Sequence, residues 1–382
     1  MNLGKYANRR DVLRTVGGLG GTALVGGVAA AQDGGTTTPG GGGTTTEGGD
    51  QTTTETNGRA TDRPLVVTCR LDDSVALLNQ ETKEIFAEIP VGKEPLYCAV
   101  STDGELAYAP NTASADVSVV NVEQREEVKR IPLDAAPRGV NVHPENDDAF
   151  VEVAGANQVA VIDSENLEVR ETIDVGKAPH NIVFDAEAGF AYVTNQGGNS
   201  LGFIDLQSLE MVDQVPVAKA PHNLHVDRER NVVYTANALS NDVGIIDVEQ
   251  RELLKKRPLT DQNADIHATQ NGEKIFVAGV QSDAVTVYRA PDDPAEGEYR
   301  VADIVTVEDQ DEIRPPLPER DFVPPGLGPH GCFVSPYRNE VYVTITGRDQ
   351  LVVIDTETHE ITDRVSTPTY PFFSDVQYDS GN

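Results

Sequence analysis

Tryptophan is absent from the 382 residues, and cysteine is nearly so, with only Cys69, Cys98 and Cys332. Without tryptophan the chain lacks the residue on which quinone cofactors commonly stack. Three thiols cannot build a disulfide framework. None stands in a Cys-x-x-Cys-His, zinc or blue-copper spacing, so the sequence argues against covalent haem c and against those metal centres. No uninterrupted apolar run reaches the ~18 residues of a membrane-spanning helix. Positive charge is scarce as well: 30 Lys and Arg stand against 62 Asp and Glu, a formal charge of −32. That balance argues against nucleic acid as a partner, because neutralising phosphates takes clustered Lys and Arg. Gly-x-Ser-x-Gly elbows, phosphate loops and dinucleotide fingerprints are missing. Enough is apolar, 38% of positions, to exclude disorder along the whole chain.

The first 31 residues resemble a twin-arginine export signal. Arg9-Arg10 precedes Val12 and Leu13, a mild apolar stretch runs from Val16 to Ala31, and Ala29-Ala30-Ala31 forms a small-residue cleavage pattern before Gln32. Residues 32–63 read as a linker. Within 33–58 there are nine Gly and ten Thr in 26 positions, so ordering this segment costs backbone entropy with almost nothing to bury. The chain left after cleavage carries 61 acidic and 26 basic residues, only eight of them Lys. Such a surface resembles that of proteins from salt-loving archaea, where dense carboxylates hold hydrated cations and salt screens their repulsion.

From residue 64 to 382 the sequence repeats. Pro95, Pro137, Pro179 and Pro221 are 42 residues apart, a degenerate anchor follows at Asn263, and Pro329 and Pro371 come after an insertion of 24 within about 290–328. Each unit holds four period-two runs and no helical spacing, which predicts one four-stranded blade. The third run ends in Val-Ile-Asp or a variant, as at Asp163, Asp205, Asp247 and Asp355, where the Asp is placed to accept backbone N–H groups just beyond it. Pro371 onward matches only a first strand, and residues 64–90 match only the other three. Less the insertion, residues 64–382 come within one residue of seven units. The prediction is an all-β, seven-bladed β-propeller closed by a C-terminal strand that completes the N-terminal blade.

Tyr192-Val193-Thr194-Asn195 is the tetrad for which the YVTN-repeat β-propellers are named, and the units resemble that family throughout 64–382. The resemblance implies a secreted or surface-attached ring. Related rings carry haem-d-type, copper and lactonase chemistries, so fold does not imply activity.

In such a ring the residue after each anchoring proline enters the central channel. Round the ring this position reads Leu96, Arg138, His180, His222, Ala264, His330 and Phe372. Two residues before the proline stand Lys93, Lys177 and Lys219. The candidate ligand-binding set is therefore Lys93, Arg138, Lys177, His180, Lys219, His222 and His330, with the three histidines as candidate metal ligands. Converging imidazoles suit copper, iron or a haem-like group. A cationic funnel would suit a small anionic molecule. Shared descent of the repeats accounts for the recurrence equally. His225 and His267 share a deeper position and are expected as core histidines. His143 and His359 are expected in turns, and the three cysteines as buried thiols. Glu308 to Gly328, rich in Pro and acid, precedes the His330 strand and is expected to cover the histidine face.

No acid–base pair stands out. The expected role is a non-catalytic binding or interaction scaffold, extracytoplasmic, secreted or surface-associated. Its partner would be a small molecule or an envelope protein, and the chain is expected as a monomer without a transmembrane span. A metal- or haem-binding redox protein using His180, His222 and His330 is the alternative. A lactonase-like hydrolase is a weaker third.

Overall fold

The computed structural model describes residues 63–258, 263–280, 282–307 and 328–377. The expected signal, all but the last residue of the linker, and most of the acidic insertion lie outside the described residues. So does the covering role expected of Glu308 to Gly328.

The described residues form seven four-stranded antiparallel sheets, one per repeat. Blade 3 is typical. Pro179–Asp185, Phe190–Asn195, Ser200–Asp205 and Glu210–Pro216 pair in chain order from the axis outward. Numbering blades from the one that starts at Pro95, blade 7 is shared between the chain ends. There Pro371–Asp375 bonds to Leu65–Cys69, and Ser74–Leu78 and Ile85–Pro90 follow. The split repeat predicted this closure. A ring of blades needs it, because an unpaired blade would expose an apolar face and a bare strand edge.

Inner strands are buried on both faces because each blade is sandwiched between two others. The aromatic position of the second strand holds Tyr108, Tyr192, Tyr234 and Tyr342, all fully buried. A separate hydrophobic cluster fills each interface between adjacent blades. Tyr192 and Phe203 of blade 3 meet Leu224 and Val233 of blade 4, and Val66 and Val75 of blade 7 meet Cys98 and Val100 of blade 1. All three cysteines are buried and free. Outermost strands alternate exposed and half-buried positions, as in Glu126–Pro132, which suits an edge facing water.

Two local devices set the turns. The Val-Ile-Asp carboxylates behave as the pattern predicts: Asp205 Oδ1 accepts from Gln207 N at 3.0 Å and Ser208 N at 2.7 Å, and Asp163, Asp247 and Asp355 repeat this. In blades 1, 3, 4 and 7 the residue before the anchoring proline is left-handed, even where it is alanine, with φ 48° at Ala178 and 52° at Ala220. That conformation costs an alanine about 1–3 kcal/mol. The preceding blade holds it in place: Asn157 Oδ1 accepts from Ala178 N at 2.8 Å, and Asn199 Oδ1 from Ala220 N at 2.9 Å. Blades 2 and 3 thereby fix the points at which the first strands of blades 3 and 4 enter the channel. Part of the insertion lengthens the hairpin between Ala284–Arg289 and Arg300–Thr306, where Asp293 caps the turn.

Candidate functional site

Immediately after its proline the innermost strand leaves the ladder. Pro179 pairs with Asn195, yet pairing resumes only at Ile182 with Val193. Blade 4 shows the same shift between Pro221 and Leu224, and blade 6 between Pro329 and Cys332. A bulge re-aims side chains out of the strand alternation. The threonine of the second strand satisfies the displaced backbone: Asn181 N donates to Thr194 Oγ1 at 3.1 Å, and Thr194 Oγ1 donates to the His222 carbonyl of the next blade at 3.0 Å.

The bulged residues meet in a closed circuit of five rings. His180 lies 3.8 Å from His222, centre to centre, and His222 lies 5.5 Å from His330. His330 lies 3.9 Å from Phe372, Phe372 5.6 Å from Tyr97, and Tyr97 5.5 Å from His180. The histidines thus come together from blades 3, 4 and 6. They are buried, only 1%, 3% and 8% exposed, and Leu96 is buried beside them. Burial, then the neighbouring His222, Arg138 and His330 charges, holds His180 well below the usual imidazole range. Burial, then His222 and Arg70, does the same to His330. Both are neutral at pH 7, because a desolvated cation beside other cations is costly. Tyr97 Oη lies 3.4 Å from His222 Nδ1, while Nδ1 of His180 and of His330 is buried without a hydrogen-bond partner.

The lysines stand apart from this circuit. Lys93 pairs with Asp73 at 2.5 Å on the surface, and Lys177 and Lys219 are exposed. Arg138 is half-buried, its backbone N donating to the Glu152 carbonyl at 2.8 Å. Among the described residues, no group of three or more His, Cys, Asp or Glu side chains is placed to hold a metal ion. The imidazoles face one another ring to ring.

Along the axis lies a cavity of about 190 Å³, lined by Tyr97 at one end and by Thr102, Pro144 and Arg228 at the other. These last three follow the innermost strands, so the cavity opens on the face opposite the prolines. His180, His222 and His330 do not line it. Its wall carries Asn141, Asn181, Asn223 and the pair His225 and His267, whose rings are 4.5 Å apart. Asn181 Nδ2 donates to Asn223 Oδ1, and Asn223 Nδ2 to Asp265 Oδ1, and Asp265 Oδ2 accepts from Cys332 N at 2.7 Å. This amide ladder ties blades 3 to 6 together. Each amide nitrogen has a second hydrogen beyond the one used in the ladder. Burial pushes His267 down to about 4.

A family model for the YNCE-like beta-propeller matches residues 108–300. The chain belongs to that family. No curated protein matches the sequence. Among solved structures, this YNCE-like propeller is similar to a protein of unknown function from Desulfotomaculum acetoxidans DSM 771, with a TM-score of 0.69 and 13% identity over 83% of this chain and 99% of that one. It is similar to a protein with a provisional 6-phosphogluconolactonase assignment from Bacteroides uniformis ATCC 8492, with a TM-score of 0.65 and 15% identity over 83% and 99%. A third is the dihydro-haem d1 dehydrogenase NirN in complex with DHE, with a TM-score of 0.58 and 16% identity over 86% and 77%. At these identities the likeness is one of fold.

Several residues of this YNCE-like ring escaped the reading of its sequence. Tyr97, one place beyond Leu96, supplies a ring of the circuit. Asp265 stands where Asn181 and Asn223 stand, 42 residues on each time, and that spacing was the available signal. Asp375 accepts from Val100 N at 3.0 Å across the seam between blades 7 and 1. Glu152 replaces the threonine of the tetrad and is fully buried. His225 and His267 face the cavity rather than the packed core. His143 is buried against Phe184 at 5.2 Å, and His359 sits in a turn with φ 60° and contacts Asp303 at 3.2 Å.

Proposed function

We propose that this protein is exported by the twin-arginine route, as a YVTN-type propeller, and acts outside the cytoplasmic membrane as a non-catalytic binding scaffold. Its ligand is a small organic molecule held in the axial cavity. The observation that carries this reading is that cavity: the five-ring circuit stands at one end, the other end is open, and amides and imidazoles with spare hydrogen-bonding capacity line the wall. Few polar groups converging in a concave, partly apolar space are what small-ligand sites use. Neutral His180 and His330 supply no positive charge, and Lys93, Arg138, Lys177 and Lys219 do not line the cavity, so an anionic ligand there would depend on Arg228 at the open end. The acidic surface fits work in concentrated salt.

Native mass spectrometry of protein isolated from its own cells tests the cavity. A small molecule released on unfolding, and missing from His225→Trp, which fills the space, supports the reading. A bare wild-type mass, with no thermal shift from a panel of organic anions and neutral metabolites, sinks it. Export is tested by the mature N-terminus, expected at Gln32, and by Arg9→Lys/Arg10→Lys, expected to leave the precursor inside the cell.

A second reading has one observation behind it: the unpartnered Nδ1 atoms of His180 and His330. Buried lone pairs without donors suit a transition metal or haem-like group once the rings rotate. Metal analysis and an absorption spectrum of protein purified in high salt decide it. Stoichiometric copper or iron, or a porphyrin band, supports this reading, and a colourless, metal-free protein that takes up none removes it.

A further inference from the structure

Glu152 departs from a pattern that blades 3, 6 and 7 keep. Its repeat position holds Thr68, Thr194 and Thr344 in blades 7, 3 and 6, and Pro110, Ala236 and Ala278 in blades 1, 4 and 5. Each of those hydroxyls donates to the carbonyl of the residue after the next blade's proline: Thr68 to Leu96, Thr194 to His222 at 3.0 Å, and Thr344 to Phe372 at 2.8 Å. In blade 2 the corresponding carbonyl is that of His180.

The Glu152 side chain is wholly buried, and neither carboxyl oxygen has a hydrogen-bond partner. Gly139 makes room for it. Where blades 1, 3, 4, 5 and 7 place Tyr97, Asn181, Asn223, Asp265 and Phe373, Gly139 has no side chain, like Gly331 of blade 6, and a Cβ there would stand 2.4 Å from Glu152 Oε2 and 2.6 Å from the His180 carbonyl oxygen. Asn181 Oδ1 is 3.2 Å from the same point. Three oxygens therefore border the space a side chain would take at Gly139, and none of them is a donor when Glu152 is ionised. An ionised carboxylate facing a carbonyl would be an uncompensated buried charge.

We propose that Glu152 is a neutral carboxylic acid whose O–H donates to the His180 carbonyl, so that the latch from blade 2 to blade 3 depends on a proton that blades 3, 6 and 7 carry on threonine. Losing that proton sets carboxylate against carbonyl and loosens the His180 end of the ring circuit. Burial raises the acid well above the usual carboxylate range, in keeping with this. The groups facing it are few. Arg138 lies beside Gly139 on the innermost strand, His180 faces it from blade 3, and the third strand of its own blade presents Val159.

The sign follows. The folded acid holds its proton to higher pH than the unfolded one, so the latch is complete at low pH and is lost as pH rises through the raised folded value. The test compares wild type, Glu152→Gln and Glu152→Thr by denaturant unfolding between pH 5 and pH 10, with infrared spectra in the carboxylic-acid region. Gln and Thr both donate at every pH, and Thr restores the side chain of blades 3, 6 and 7. Relative to either variant, the wild-type unfolding constant is expected to rise by up to about tenfold per pH unit within the window. Asp265 and Asp375 also titrate, but they are common to all three proteins and cancel in the comparison. An infrared acid band in the wild type that Glu152→Gln lacks supports the proposal. Parallel pH profiles with no such band overturn it. So does a stabilisation specific to Na⁺, K⁺ or Ca²⁺ at constant ionic strength that Glu152→Gln abolishes, because a metal ion would then stand where the proton is placed.

Discussion

His180 and His222, equivalent residues of adjacent blades, hold their imidazoles 3.8 Å apart and tilted by 40° at the closed end of the channel. Stacked and desolvated rings resist protonation, and His180 is held well below its ordinary range. The unfolded chain takes up this proton near pH 6.5 while the folded chain does not, so this contribution to stability is whole above that value and is lost as pH falls. His180→Phe keeps a ring without a titrating group. Between pH 7 and pH 5 the wild type is expected to lose more stability than His180→Phe, measured by denaturant midpoints in constant salt.

Asp375 gives the opposite slope. It is buried where blade 7 meets blade 1, accepts from Val100 N, and is pushed up to about 7 by burial. A carboxyl raised above its unfolded value of about 3.9 contributes stability below that value, which is lost as pH rises towards 7. Asp375→Asn keeps an acceptor for Val100 N and removes the titration. Between pH 5 and pH 8 the variant is expected to have the flatter stability profile, and an unchanged profile would show that Asp375 is ionised in the fold.

Thr194 serves two backbones at once, accepting from Asn181 N and donating to the His222 carbonyl. Thr194→Val keeps the shape and leaves a buried N–H and a buried C=O without partners. The expected loss is about 1–3 kcal/mol, read from urea unfolding. The tetrad's third residue is in this sense the fastener of the bulge that carries the histidines.

What the sequence could reveal follows from the kind of interaction involved. Blade number, strand boundaries and ring closure were legible because repetition at 42 residues samples one pattern seven times. The pattern itself is burial, which acts through side-chain type alone. The meeting of His180, His222 and His330 was legible for the same reason, since equivalent positions face one axis. Their burial was not. It arises from Tyr97 and Phe372 closing the circuit, and Tyr97 points inward only because a bulge spoils the strand alternation on which sequence arguments rest. Nor was the amide ladder legible. Asn181 and Asn223 look like ordinary polar residues until three-dimensional neighbours 42 residues apart are seen to bond to one another.

Cys69, Cys98 and Cys332 are buried, and burial raises all three thiols above their ordinary range. A thiol reacts as its thiolate and only when reached by reagent. In native protein a thiol-specific chromogenic reagent is expected to titrate none of the three, and in denaturant all three. Fast labelling of one thiol in the native state would mark an opening of its blade, with Cys98 reporting on the interface between blades 7 and 1 and Cys69 on that between blades 6 and 7.

The chain ends meet inside blade 7, where the strand Pro371–Asp375 completes the sheet and also bonds to blade 1. It pairs with Leu65–Cys69, its Ser374 and Asp375 standing opposite Val67 and Val66, and its Asp375 carboxylate holds Val100 N of the next blade. Phe372 adds a ring to the channel circuit and Tyr370 packs against Leu96 and Tyr97. Removing residues 370–382 therefore deletes one strand, two inter-blade anchors and two buried aromatic rings. Losing a buried aromatic ring alone costs about 3–5 kcal/mol, and folded domains have only about 5–15 kcal/mol in hand. The truncated chain is expected to be unfolded or to associate through the exposed edge of Leu65–Cys69, seen as lost near-ultraviolet dichroism or as oligomers in size-exclusion chromatography. Adding a synthetic peptide spanning residues 368–382 is expected to restore the monomeric ring. A truncated chain that stays monomeric with the wild-type midpoint would show that the other six blades close without the seventh being completed.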